Sequence, residues 1–152
     1  MVEEGKPAPD FELPSDSGET VTLSSFKGKP VVLYFYPKDN TSGCTTQACA
    51  IRDAWSEFEE AGAVVLGVSP DGVGSHQKFK GAFDLPFTLL ADQDHTVAEA
   101  YGVWQQKSRY GRTYMGIVRS TFVIGPDGNV VKIMRNVQVA KHADDVLAVL
   151  TA

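Results

Sequence analysis

The sequence predicts an α/β fold class: a central mixed β-sheet flanked by helices on both faces. Three observations carry that reading. Two continuous apolar stretches, 31–36 and 63–69, bracket an amphipathic helical pattern; a Gly-Pro-Asp-Gly turn at 125–128 separates two further β-rich stretches; and a last helical pattern closes the chain at 142–150. Strand, helix and strand in succession make a right-handed crossover with parallel neighbours, whereas the tight turn makes an antiparallel hairpin. At 152 residues the chain is long enough for a single domain, 1–152, that buries its core without metal or disulfide support.

In chain order, the opening is rich in loop residues and carries a short hairpin around Gly18. Residues 31–36, Val-Val-Leu-Tyr-Phe-Tyr, have no polar interruption, as expected of a strand buried on both faces. From Cys44 the period changes. Ala48, Ile51, Trp55 and Phe58 recur at helical steps, with Gln47, Arg52, Ser56, Glu57, Glu59 and Glu60 on the other face, until Gly62 ends the helix. After the strand 63–69 the pattern reads as a helix over 75–81, a strand over 87–91 and a small helix over 97–101. Residues 105–118 mix Gly, Tyr, Arg and Lys without a period and read as a long loop or lid. Strands at 119–124 and 130–135 flank the turn, and the closing helix turns Ala143, Val146, Leu147 and Leu150 inward. This succession is the layout of a thioredoxin-like fold.

Composition excludes several classes of function. The net charge of −5 is spread along the chain, so no basic stripe offers itself to a phosphate backbone and no nucleic acid partner is expected. No apolar run approaches a membrane span or the core of a signal peptide, which makes the expected compartment cytoplasmic and excludes a membrane partner. His76, His95 and His142 are too scattered to suggest a metal site, and nothing implies a cofactor.

The chemistry concentrates at Cys44 and Cys49, the only two cysteines. Pro37 stops the strand ladder and Asn40, Thr41, Ser42 and Gly43 are turn and cap formers, so a helix opens near Ser42 with Cys44 in its first turn. Unsatisfied amides and the helix dipole favour a thiolate there. A helix N-terminus typically supplies only ~0.3–1 kcal/mol. A further donor such as the Thr41 hydroxyl, and a guanidinium from elsewhere, must therefore add to it. On a continuous helix, five residues separate two Cα atoms by roughly 8.6 Å, beyond the limit of about 7 Å for a disulfide. The pair can bond only if the first turns unwind, which suits a stage in a reaction cycle better than a permanent brace. Peroxide reduction uses such parts: a thiolate becomes a sulfenic acid, a second thiol condenses with it, and an external dithiol protein reduces the bond.

Pro37-Lys-Asp-Asn-Thr41-Ser-Gly-Cys44 matches the P-x-x-x-T-x-x-C signature and resembles the peroxiredoxins; the spacing of Cys44 and Cys49 resembles their bacterioferritin comigratory protein, or Q-type, subfamily. Ala8-Pro-Asp-Phe, Phe26-Lys-Gly-Lys, Tyr114-Met-Gly and Arg119-Ser-Thr-Phe-Val-Ile extend the likeness over nearly the whole chain, while Ser42 stands where proline is common. The resemblance implies a peroxidase acting on hydrogen peroxide and organic hydroperoxides. It implies Cys44 as the peroxidatic cysteine, Cys49 as the resolving one, Thr41 holding the peroxide, Pro37 shielding the thiolate and Arg119 activating sulfur and substrate. Thioredoxin or a similar dithiol is the implied reductant, and a monomer the implied state. Tyr110, Tyr114 and Met115 read either as an apolar mouth for bulky hydroperoxides or as packing. Two other readings stay open from the residues alone: a thiol–disulfide oxidoreductase, although C-x-x-C is absent, and a redox sensor whose unwinding helix exposes a partner surface.

Overall fold

The structure, a computed structural model, describes residues 2–152. A short hairpin of β1 (Glu12–Pro14) and β2 (Thr20–Thr22) precedes the main sheet, as expected around Gly18. The sheet is built from β3 (Val31–Phe35), β4 (Val64–Ser69), β5 (Thr88–Ala91), β8 (Ser120–Ile124) and β9 (Val130–Arg135), in the order β5-β4-β3-β8-β9. β3 pairs in parallel with β4 and antiparallel with β8, so the sheet is mixed and β3 is its centre.

The uninterrupted apolar run of β3 follows from burial on both faces. Val31, Leu33 and Phe35 pack into a core with Phe122, Ile124 and the small helix α4 (Thr96–Ala100). Val32, Tyr34 and Tyr36 pack into the other core, beneath α1 (Ser42–Asp53), α2 (Trp55–Glu60), α3 (Val73–Phe83) and α5 (His142–Leu150). Helices therefore cover both faces, and the thioredoxin-like reading holds.

Two elements differ from the sequence expectation. The single helix expected from Cys44 to Gly62 is interrupted at Ala54 (φ −99°, ψ 15°), which leaves helical geometry while its N–H still bonds the Ala50 carbonyl at 3.2 Å, and this separates α1 from α2. The stretch expected as a long loop or lid is a regular hairpin, β6 (Trp104–Arg109) and β7 (Arg112–Ile117). Tyr110 (φ 51°) and Gly111 (φ 75°) turn it, both in the left-handed region that a two-residue turn of this hand demands. Most of its side chains are exposed on both faces, so no alternation of apolar and polar residues marks it in the sequence.

Candidate active site

The register of β3 against β8 decides which residues meet. Phe35 lies opposite Ser120, so the chain leaving β3 towards Pro37 and the chain entering β8 from Arg119 lie side by side at one sheet end. The intervening loop turns through Asn40 (φ 60°), and α1 opens at Ser42 with Thr41 as its N-cap. Cys44 is the third residue of α1 and is buried in the same apolar cluster as Tyr34, Tyr36 and Ala48. The first helical bond runs from the Thr45 N–H to the Thr41 carbonyl at 2.8 Å. The amides of Ser42, Gly43 and Cys44 therefore precede any helical acceptor.

Fixed positive charge comes from Arg119. Its Nη2 lies 3.4 Å from Cys44 Sγ, and its Nη1 donates to Gln47 Oε1 at 2.6 Å. Gly43 leaves room for this approach, since a Cβ there would lie 3.3 Å from Arg119 Nη2. Lys107 on the β6–β7 hairpin adds a second cation to the neighbourhood: burial and the Arg119 charge hold its ammonium below its ordinary range, with Cys44 opposing.

Pro37, half-buried, and Thr41, exposed, flank the loop that delivers Cys44. The Thr41 hydroxyl donates to the Lys38 carbonyl at 3.0 Å, not to the sulfur, and makes no side-chain cap bond. Cys49 is half-buried, and both thiols are free. α1 is continuous from Ser42 to Asp53, so the separation of roughly 8.6 Å for five helical residues applies.

Gln47 corrects the sequence reading, which put it on the solvent face; it is fully buried. Its Nε2 lies 3.2 Å from His142 Nδ1, and His142 Nε2 lies 2.6 Å from Thr121 Oγ1. A guanidinium only donates, so Gln47 must turn its oxygen to Arg119 and its amide nitrogen to His142. His142 Nδ1 is then an acceptor, and its Nε2–H donates to Thr121. The neutral ring this requires agrees with burial and, second, the Arg119 charge, which push the His142 pKa down to about 4. Sequence reasoning missed Gln47, Thr121 and His142. A polar residue on an amphipathic helix gives no signal of burial when its partners lie 72 and 95 residues away.

A second buried polar group ties the same loop. Asp39 accepts hydrogen bonds from Tyr36 Oη (2.6 Å), Ser75 Oγ (2.8 Å) and His76 Nδ1 (2.6 Å). Burial opposes ionisation of Asp39, but these donors, His76 foremost, hold its carboxyl below the usual range. Among the described residues, no three His, Cys, Asp or Glu side chains converge as a metal site. No helix among them is long and apolar enough to cross a membrane.

Known proteins resemble this chain along nearly its whole length. The AhpC/TSA family matches residues 4–133. Peroxiredoxin Bcp of Bacillus subtilis (strain 168) is 52% identical over 149 residues, which are 98% of this chain and 95% of that protein. Peroxiredoxin Bcp of Escherichia coli (strain K12) is 46% identical over 143 residues, 94% and 92% of the two chains. Among solved structures, the bacterioferritin comigratory protein of Xanthomonas campestris superposes with a TM-score of 0.92 at 40% identity, covering 98% of each chain. That protein was solved as trapped-intermediate and ligand complexes bearing on its alkyl peroxide reduction activity. A cysteine-to-serine mutant of Xylella fastidiosa PrxQ gives 0.94 at 36% identity, covering 99% and 96%.

Proposed function

The chain belongs to the AhpC/TSA family as a peroxiredoxin of the Bcp and Q type, and from that membership we propose that Cys44 is its peroxidatic cysteine and Cys49 its resolving one. The observation that carries this reading is Arg119 Nη2, 3.4 Å from a buried sulfur in the first turn of a helix. The Cys44 thiolate attacks the terminal oxygen of a hydroperoxide, the O–O bond breaks, and the leaving alkoxide or hydroxide takes a proton. The products are a Cys44 sulfenic acid and an alcohol or water. Arg119 faces charge that moves from sulfur to oxygen in this step, and acts from a partly buried position where that charge is poorly screened. Pro37 limits water at the sulfur, and Thr41 holds the peroxide once its hydroxyl turns from Lys38. Alkyl hydroperoxides join hydrogen peroxide as substrates, in keeping with the activity named for the Xanthomonas relative.

The Cys49 thiol then condenses with the sulfenic acid, forming the disulfide and releasing water, which requires α1 to unwind. Thioredoxin, or a dithiol protein like it, reduces the bond by exchange. The enzyme acts as a cytosolic monomer; the dispersed acidic charge favours a dissolved state. In a coupled assay with thioredoxin and its reductase, Cys44→Ser abolishes peroxide consumption, whereas Cys49→Ser permits one turnover and leaves a trappable sulfenic acid. Full turnover by Cys44→Ser overturns the assignment.

A further inference from the structure

The loop that delivers Cys44 has one tightly held residue. Asp39 accepts its hydrogen bonds from Tyr36, Ser75 and His76, and its own amide donates to Asp71 Oδ2 at 2.7 Å; Asp71 in turn accepts from Ser69 Oγ at 2.8 Å. His76, from α3, is fully buried, with Nδ1 2.6 Å from the Asp39 carboxylate and Nε2 2.8 Å from the Leu90 carbonyl. Both oxygens only accept, so both ring nitrogens carry hydrogen and the ring is an imidazolium. A buried ion pair is weak grounds for stability, because well-packed apolar groups do as well; its better-attested use is to fix one arrangement.

What it fixes follows from the next residues. Asn40 turns through a left-handed conformation, and Thr41 and Ser42 are exposed. Among the described residues, the side-chain hydrogen bond these three donate is that of Thr41, which runs back to the Lys38 carbonyl. The loop is thus pinned by side chains at Asp39 and beyond it is held by the first turn of α1, through Thr45 N–H to the Thr41 carbonyl at 2.8 Å and Thr46 Oγ1 to the Ser42 carbonyl at 3.0 Å; that turn must unwind for Cys44 to meet Cys49. We infer that His76 is a positioning residue: paired with Asp39, it clamps the upstream end of the unwinding segment, confines the unwinding to residues after Asp39, and returns Cys44 to Arg119 when the helix re-forms. This inference rests on the disulfide reading above.

The clamp carries a pH dependence. The groups facing His76 are Asp39 from the loop, Tyr36 at the end of β3, Asp71 ahead of α3 and the Leu90 carbonyl of β5. Burial foremost keeps Tyr36 a neutral phenol. For His76, burial lowers the pKa, but the bond and charge of Asp39, then the Leu90 carbonyl and the charge of Asp71, raise it overall. A group whose folded pKa is raised holds its contribution at low pH and loses it as pH climbs through the folded value. The clamp therefore loosens towards alkaline pH.

The test is amide hydrogen exchange on the reduced full-length protein, with no peroxide present, so its outcome is independent of whether Cys49 resolves Cys44. In His76→Gln the Asp39 and Thr45 amides should exchange at least tenfold faster than in the wild type, with the Leu33 amide of β3 unchanged. Exchange at Asp39 and Thr45, corrected for base catalysis, should accelerate in the wild type as the His76 ring titrates by NMR, and that acceleration should vanish in His76→Gln. Should His76→Gln fail to fold, Asp39→Asn, which keeps the volume and removes the charge, is measured in the same way with the same expectation. Wild-type protection at Thr45 in the folded variant, or an unaltered pH response, overturns the inference.

Discussion

The two terminal nitrogens of Arg119 serve different partners: Nη2 lies 3.4 Å from Cys44 Sγ, and Nη1 donates to the buried Gln47 Oε1 at 2.6 Å. Gln47 is aimed in turn by a neutral His142. The cation beside the sulfur is therefore aligned by uncharged groups that do not compete with the sulfur for its charge.

Removing that alignment should slow the chemistry, with a cost in stability because the buried His142 Nδ1 loses its donor. A hydrogen bond to a charged group contributes about 1.5–3 kcal/mol, so Gln47→Ala should lower the second-order rate of Cys44 oxidation by about tenfold to a hundredfold. Stopped-flow mixing of the reduced protein with peroxide reads this directly. A wild-type rate in a folded Gln47→Ala would show that Arg119 needs no such support.

Gly43→Ala should separate stability from activity. Alanine is the better helix former by up to about 1 kcal/mol, but its Cβ would lie 3.3 Å from Arg119 Nη2 and displace it by a few tenths of an ångström. The expected outcome is a midpoint in urea equal to or above that of the wild type, with slower peroxide reduction. A variant as fast as the wild type would mean that the guanidinium tolerates the shift.

His142 should make the protein acid-sensitive. Its folded pKa of about 4 lies below the ordinary value of 6.5, so the unfolded chain binds the extra proton between those two values, and stability rises with pH across that window. Between pH 7 and pH 5 the loss through this group is about 2 kcal/mol at 1.36 kcal/mol per unit. His76 acts in the opposite sense, so comparison with a variant isolates the effect. In urea titrations at both pH values, His142→Gln should lose about 2 kcal/mol less than the wild type on acidification. Equal losses would refute a neutral His142.

Gly67→Ala should destabilise the protein. A Cβ at this position would lie 2.9 Å from the Tyr34 ring and 3.0 Å from Leu89, both fully buried with no space to yield. Overpacking of this kind costs typically 1–3 kcal/mol, to be read as a lower urea midpoint. An unchanged midpoint would show that the second core repacks freely.

Much of the site was legible because its signals are local. The period change after residue 36, the breaker at Pro37 and the cap formers at 40–43 place Cys44 in the first turn of a helix without reference to any other part of the chain. The β6–β7 hairpin was not legible, because a ribbon wet on both faces carries no hydrophobic alternation and its turn depends on Tyr110 taking a positive φ.

Outside 104–117 and the break at Ala54, the succession of strands and helices could be read from the chain, as could the central place of β3 and the position of the two thiols, since each rests on periodicity and turn chemistry among near neighbours. Periodicity and turn chemistry carry no sign that Arg119 meets Cys44 across 75 residues of chain, which the resemblance alone implied, nor that Gln47 faces inward to His142 or that Asp39 is pinned by His76; folding sets these contacts. The physical reason is that a polar side chain reads the same in sequence whether it faces water or a buried partner, and the register of β3 on β8 with the packing of α1, α3 and α5 chooses between the two.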